Sequence, residues 1–146
     1  MTLSPAASVI AGIDLGGTAI NYTFLDAHGR FLITQLCEHP ARVKDGPAVC
    51  LDQIADGLAA ALARAGLRGD EVARVGLATP GPASADGVLS DRGSTNFAHP
   101  GWAGFDLRGQ TAARLPSSHT DPCSRTGMVT SATTARSPVN HAPASQ

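Results

Sequence analysis

The sequence predicts an α/β domain: a mixed sheet with elements in the order β-β-β-α-β and a helix packed on one face. Two periodicities carry this. Ile20, Tyr22 and Phe24 alternate with Ala19, Asn21 and Thr23, the period of a half-buried strand. Leu51, Ile54, Ala55, Leu58, Leu62 and Ala65 recur instead at the spacing of one helix face. A third observation sets the extent: the patterning stops near residue 115, so 1–115 is predicted as the ordered lobe and 116–146 as a disordered tail.

The elements follow in order. Val9 to Leu15 is mostly apolar and suits a buried sheet position. Thr18 to Leu25 reads as its partner, and Asp26-Ala27-His28-Gly29 supplies turn chemistry before a third strand predicted over Phe31 to Cys37. Asp45-Gly46-Pro47 announces the helix, with Pro47 at the first helical position where its missing N–H costs nothing, and Gly66 stops it. Val72, Val75 and Leu77 form a fourth strand running into Thr79-Pro80-Gly81-Pro82. Asp86-Gly87-Val88-Leu89 reads as a small turn, and Asp106 is placed to cap a second helix from Leu107 to about Leu115.

Composition narrows the function classes. At 146 residues the chain has room for one ordinary domain, and an apolar fraction of 42% permits a real core. A formal net charge of −1 gives no basic field, which argues against sequence-independent nucleic-acid binding. No stretch approaches 18 consecutive apolar residues, and Met1 to Gly12 lacks the basic start and apolar run of a signal peptide. A soluble cytoplasmic protein that does not engage membranes is expected. Cys37, Cys50 and Cys123 are odd in number and widely spaced, against a disulfide framework or a self-contained zinc site; the first two are read as buried free thiols. His28, His39 and His99 have no metal-ligand spacing to one another.

The run Gly12-Ile13-Asp14-Leu15-Gly16-Gly17-Thr18 carries the chemistry. A carboxylate at the end of a buried strand can hold a hydrated magnesium ion, glycines let backbone N–H groups approach phosphate oxygens, and Thr18 adds a hydroxyl donor. The same Gly-Gly pair also suits a tight hairpin, whose central residues need positive φ. These residues alone leave both readings open.

Three segments together resemble the N-terminal half of ROK-family sugar kinases, glucokinase-like members above all. They are the Asp14-to-Thr18 loop within its strand order, the run Val75-Gly76-Leu77-Ala78-Thr79-Pro80-Gly81-Pro82, and the stretch from Gly93-Ser94-Thr95-Asn96-Phe97 through Trp102-Ala103-Gly104-Phe105-Asp106-Leu107. The resemblance covers about residues 8 to 115 and implies an actin-like, ribonuclease H-like (hexokinase-type) lobe. It implies ATP with Mg²⁺, a hexose such as glucose, and homo-oligomers among intact relatives. Carried over, Asp14 would face magnesium and Gly16, Gly17 and Thr18 the phosphates, while Thr79, Pro80, Gly81 and Asn96 would line the sugar side. An amide at Asn96 both donates and accepts, as each sugar hydroxyl does. Ala19 stands where members often carry a lysine. Without the resemblance, Thr79 to Pro82 is a plain strand-ending loop, Asn96 a turn cap, and Phe97 and Trp102 packing residues.

Phosphoryl transfer to a hydroxyl needs a positioned base. In the family that base is an aspartate of an Asn-Asp pair just after the second helix, whereas here the chain runs Leu115-Pro116-Ser117-Ser118-His119-Thr120-Asp121-Pro122. No catalytic residue is therefore assigned, and Asp121 is not expected to substitute. The family's His- and Cys-rich zinc segment is not found, so no zinc site is expected. Residues 116–146 contain no aromatic, leucine, isoleucine, lysine or glutamate, and this break suggests a frameshift near residue 115. Ser137-Pro138 is the one candidate for a regulated tail motif. The expected function is thus a truncated sugar-kinase lobe, inactive alone. The alternatives are a non-catalytic sugar- or nucleotide-binding remnant and a sugar-responsive repressor fragment, the latter disfavoured because about eight residues precede the first strand.

Overall fold

A computed structural model describes residues 8–79, 81–91, 96–115 and the backbone of 129–132. β1 (Val9–Leu15) and β2 (Ala19–Leu25) pair antiparallel, with Asp14 opposite Asn21 and Gly12 opposite Thr23. β3 (Cys37–Pro40) adds antiparallel to β2. After helix α1 (Pro47–Ala65) the chain returns as β4 (Val72–Thr79), parallel to β1. The sheet order is β3-β2-β1-β4-β5, where β5 (Val129–Ala132) pairs parallel with β4. The tail's composition did not predict that strand; the rest of 116–146, including Asp121, Cys123 and Ser137, lies outside the described residues.

Alternation decides which face is covered. Ala11, Ile13, Leu15, Ile20, Tyr22 and Phe24 all fall on one face and are buried. α1 packs there, and the Tyr22 hydroxyl donates to the carbonyls of Ile54 at 2.9 Å and Gln53 at 3.3 Å. Gly57 makes this approach possible, because a Cβ there would collide with the Tyr22 hydroxyl. Cys50 and Cys37 are buried free thiols, and burial pushes the Cys50 thiol up to about 12. Burial also raises the Tyr22 hydroxyl above its usual range, with Cys50 and Asp56 adding to the effect.

The predicted punctuation is in place. Gly46, at φ 101°, precedes α1 with Pro47 in its first turn, and Gly66, at φ 68°, ends the helix in the left-handed region. Asp106 caps α2 (Leu107–Arg114) by accepting from the Gly109 N–H at 2.9 Å. α2 is tied to α1 by an ion pair between Arg114 and Asp52. The third strand, however, is not where the sequence placed it. Leu25 and Phe31 make an isolated bridge and regular pairing resumes only at Tyr22 with Cys37, so over three residues of β2 the partner chain advances six. The surplus loops out, leaving Phe31, Leu32 and Leu36 at 71%, 41% and 61% exposure. No helix among the described residues is long and apolar enough to cross a membrane.

Candidate functional site

Because β1 and β4 run parallel in register, with Asp14 beside Ala78, the loops that follow them leave from the same edge of the sheet. The carboxyl end of adjacent parallel strands is where open α/β sheets place their ligands. On the face away from α1, this edge opens into a cleft of about 350 Å³ lined by Gly12, Asp14, Asn21, Thr23, Gly76 and Ala78. Leu36, from the looped-out segment, stands on its rim. Glycine and alanine at three of those positions leave the floor bare, and a Cβ on Gly76 would meet nothing within 4 Å.

Asp14 is exposed in this cleft, the one exposed position in the β1 pattern. Its carboxylate makes no hydrogen bond or ion pair among the described residues, whereas Asp26, Asp45, Asp52, Asp70 and Asp106 are all engaged by arginine side chains or backbone N–H groups. The next residues form the tight connection to β2, closed by the Gly16 N–H donating to the Ala19 carbonyl at 2.9 Å. Neither Gly16 nor Gly17 has positive φ, so the Gly-Gly pair is not there to supply left-handed turn conformations. It is there for close approach. A Cβ on Gly16 would stand 2.8 Å from the Ala19 oxygen, and one on Gly17 would collide with Asn96 Oδ1. Thr18 is exposed, and its carbonyl accepts from the Ala41 N–H at 2.9 Å.

Asn96, far away in sequence, thus lies directly against the Asp14-to-Thr18 loop. The next segment anchors it. Phe97 is 5% and Trp102 1% exposed, their ring centroids are 4.7 Å apart, and Phe105 meets Trp102 edge-on at 5.4 Å. The indole N–H of Trp102 donates to the Val43 carbonyl at 2.8 Å, tying the segment to the turn before α1. His99 Nδ1 accepts from the Gly101 N–H at 3.0 Å, with its ring against Gly46. Both aromatics flagged as packing residues therefore serve the core.

The other predicted positions separate. Thr79 is only 3% exposed and its hydroxyl accepts from the Gly81 N–H at 3.4 Å, so it braces the loop after β4. Gly81 is itself buried, and Pro80 lies outside the described residues. Asn21 and Thr23 were not singled out in the sequence, yet they face the cleft across from Asp14 and Gly12. The signal was available: they occupy the polar phase of the alternation that marks β2.

Among the described residues no group of three or more His, Cys, Asp or Glu side chains converges on one point. A closed transition-metal site would require such a group, but magnesium is usually held by one or two carboxylates, several waters and the substrate's phosphates. A single exposed, unengaged carboxylate beside a glycine loop fits that mode. When bound, magnesium with ATP would supply charge neutralisation for the transferring phosphoryl group. Asp14 would hold the hydrated ion, with the Gly17–Thr18 backbone next to it, the Gly16 N–H being already engaged by the Ala19 carbonyl.

Comparisons with known proteins bear on the family and the fold. No curated protein matches the chain. Among solved structures it is similar to the ROK hexokinase of Thermus thermophilus, with 29% identity, a TM-score of 0.58, and coverage of 73% of this chain and 32% of that one. The ROK family glucokinase of Streptomyces griseus, solved with glucose and AMPPNP, shares the fold at 20% identity and a TM-score of 0.59, over 85% of this chain and 33% of that one. The inorganic polyphosphate/ATP-glucomannokinase of Arthrobacter sp. strain KM does so at 23% identity and a TM-score of 0.52, over 86% and 43%. The chain thus spans about a third of the first two structures it matches. The ROK family model matches residues 10–118, three-quarters of the sequence, and the chain belongs to the ROK family.

Proposed function

We propose that this chain is the N-terminal part of an ATP-dependent, glucokinase-like sugar kinase, and that it contributes the Mg-phosphate jaw and part of the hexose side of the site. One observation carries this reading: the unengaged Asp14 carboxylate stands at the open end of β1, beside a glycine loop against which Asn96 is packed. A carboxylate for magnesium, backbone donors for phosphate and a carboxamide for hydroxyls are the three polar elements that transfer between a nucleotide and a sugar needs held close together. The glucose and AMPPNP bound to the Streptomyces griseus relative support the same pair of ligands here.

By itself the 146-residue polypeptide is proposed to bind without turning over. Catalysis also needs a base within reach of the attacking hydroxyl and closure that excludes water. The Asn-Asp pair that supplies the base in the family is replaced after α2 by Pro116-Ser117-Ser118. Isothermal titration with glucose and with Mg-ATP, alongside a coupled ADP-release assay, tests the reading. Weak binding of either ligand with no glucose-dependent ADP production is expected. Robust turnover overturns the inactivity, and absence of binding to both ligands overturns the site.

A further inference from the structure

We propose, building on Asn96 as a sugar contact, that Gly17 is a positioning residue for the hexose: it is bare so that the Asn96 carboxamide can lie on the phosphate loop in one fixed orientation. The space that a Cβ on Gly17 would fill is already taken by protein. Such an atom would collide with Asn96 Oδ1 and stand 2.9 Å from its Cγ and 3.5 Å from its Cβ, so the oxygen edge of the side chain rests on the glycine. Backbone conformation makes no separate demand for glycine there, since φ is not positive.

The loop backbone is held, and Asn96 is anchored on its C-terminal side. Gly17 is held between the Gly16 N–H bond to the Ala19 carbonyl and the Thr18 carbonyl that accepts from Ala41, both at 2.9 Å. Asn96 is followed directly by Phe97, buried against Trp102, whose indole is tied at 2.8 Å to Val43. With the loop held and Phe97 buried next to Asn96, one added methyl group on Gly17 turns or displaces the carboxamide. An amide presents a donor on one side and an acceptor on the other, so its orientation decides which sugar hydroxyls it satisfies. Gly17 therefore acts on the sugar through Asn96, although it belongs to the loop that faces phosphate.

A double-mutant cycle on the full chain, read by titration of glucose, tests this. Gly17→Ala is expected to weaken glucose binding roughly three- to tenfold, the loss of about one hydrogen bond. Asn96→Ala is expected to weaken it by at least as much. The double variant should be no weaker than Asn96→Ala, because no carboxamide is left to displace, and it should melt at the same temperature as Asn96→Ala. Gly17→Ala that binds glucose like the wild type, or losses that add in the double variant, overturn the proposal. Wild-type chain that binds no glucose overturns the sugar reading on which it builds. The packing is read separately, by the Asn96 side-chain NH₂ resonances, assigned by their disappearance in Asn96→Ala. They should move in Gly17→Ala, and unchanged resonances overturn the positioning role whether or not sugar binds.

Discussion

The two faces of the central sheet are built from the same three strands and have opposite characters. Toward α1, Ile13, Leu15, Ile20, Tyr22, Phe24 and Leu77 are at most 2% exposed, and the polar groups in that phase, the Tyr22 and Thr79 hydroxyls, are both hydrogen-bonded. Away from α1, the intervening positions are Gly12, Asp14, Asn21, Thr23, Gly76 and Ala78, small or polar and open to the cleft. A pleated strand sends successive side chains to opposite faces, so a single segment can supply core and site at once. The covered face supplies the buried core of the lobe, and the open face leaves its polar side chains accessible for chemistry.

Substitutions on each face can break or sharpen that contrast. The largest effect is expected from Phe24→Ala, which empties a fully buried position on the covered face; a loss of roughly 3–5 kcal/mol should appear in urea unfolding, enough to unfold a marginal domain. A matched pair of glycines gives a finer test. Gly57→Ala, favourable in an ordinary helix interior, drives a Cβ into Tyr22 and should cost roughly 1–3 kcal/mol. Gly76→Ala on the open face meets nothing within 4 Å and should gain roughly 0.4–1 kcal/mol, seen as a higher melting temperature. Equal signs for the two would remove the distinction between the faces.

Alkaline pH probes the covered face again. In the unfolded chain the Cys50 thiol ionises near its ordinary 9.0, whereas in the fold it waits until about 12, and the Tyr22 hydroxyl is raised as well. Between those values the folded state holds protons that the unfolded state has lost. This contribution to stability is thus full below about pH 9 and declines as pH rises toward the folded values. Denaturant midpoints measured across that range should fall, with a shallower slope in Cys50→Ala. The smallest effect on stability is expected from Asp14→Asn, within about 0.5 kcal/mol of wild type, since its carboxylate holds no partner. The same change should abolish detectable Mg-ATP binding in titration, and a variant that binds as before would separate the open face from phosphate chemistry.

Much of this was legible in the sequence because it depends on near neighbours. Strand alternation in β2, the apolar stripe of α1, Pro47 and Gly66 at its ends and the Asp106 cap are settled by residues a few positions apart, and the structure has each of them. The Asp14-to-Thr18 run was legible too, although the sequence left it between a hairpin and a phosphate cradle. Conformation separated the glycine roles: φ is not positive at either glycine, and both are needed for close approach. The third strand was misplaced because Phe31 to Cys37 is apolar enough to pair, and only the register against β2 loops that segment out.

The sequence by itself determined the order of elements, the helix ends, which phase of each strand is apolar and which loop carries the carboxylate, all consequences of local periodicity and capping. Tertiary structure alone decided that Asn96 lies on Gly17 and that Gly76 and Ala78 join Gly12 and Asp14 in one cleft. Those contacts join positions far apart along the chain. They arise from parallel pairing of β1 with β4 and from the anchoring of Trp102 to the turn before α1, which no short-range pattern encodes.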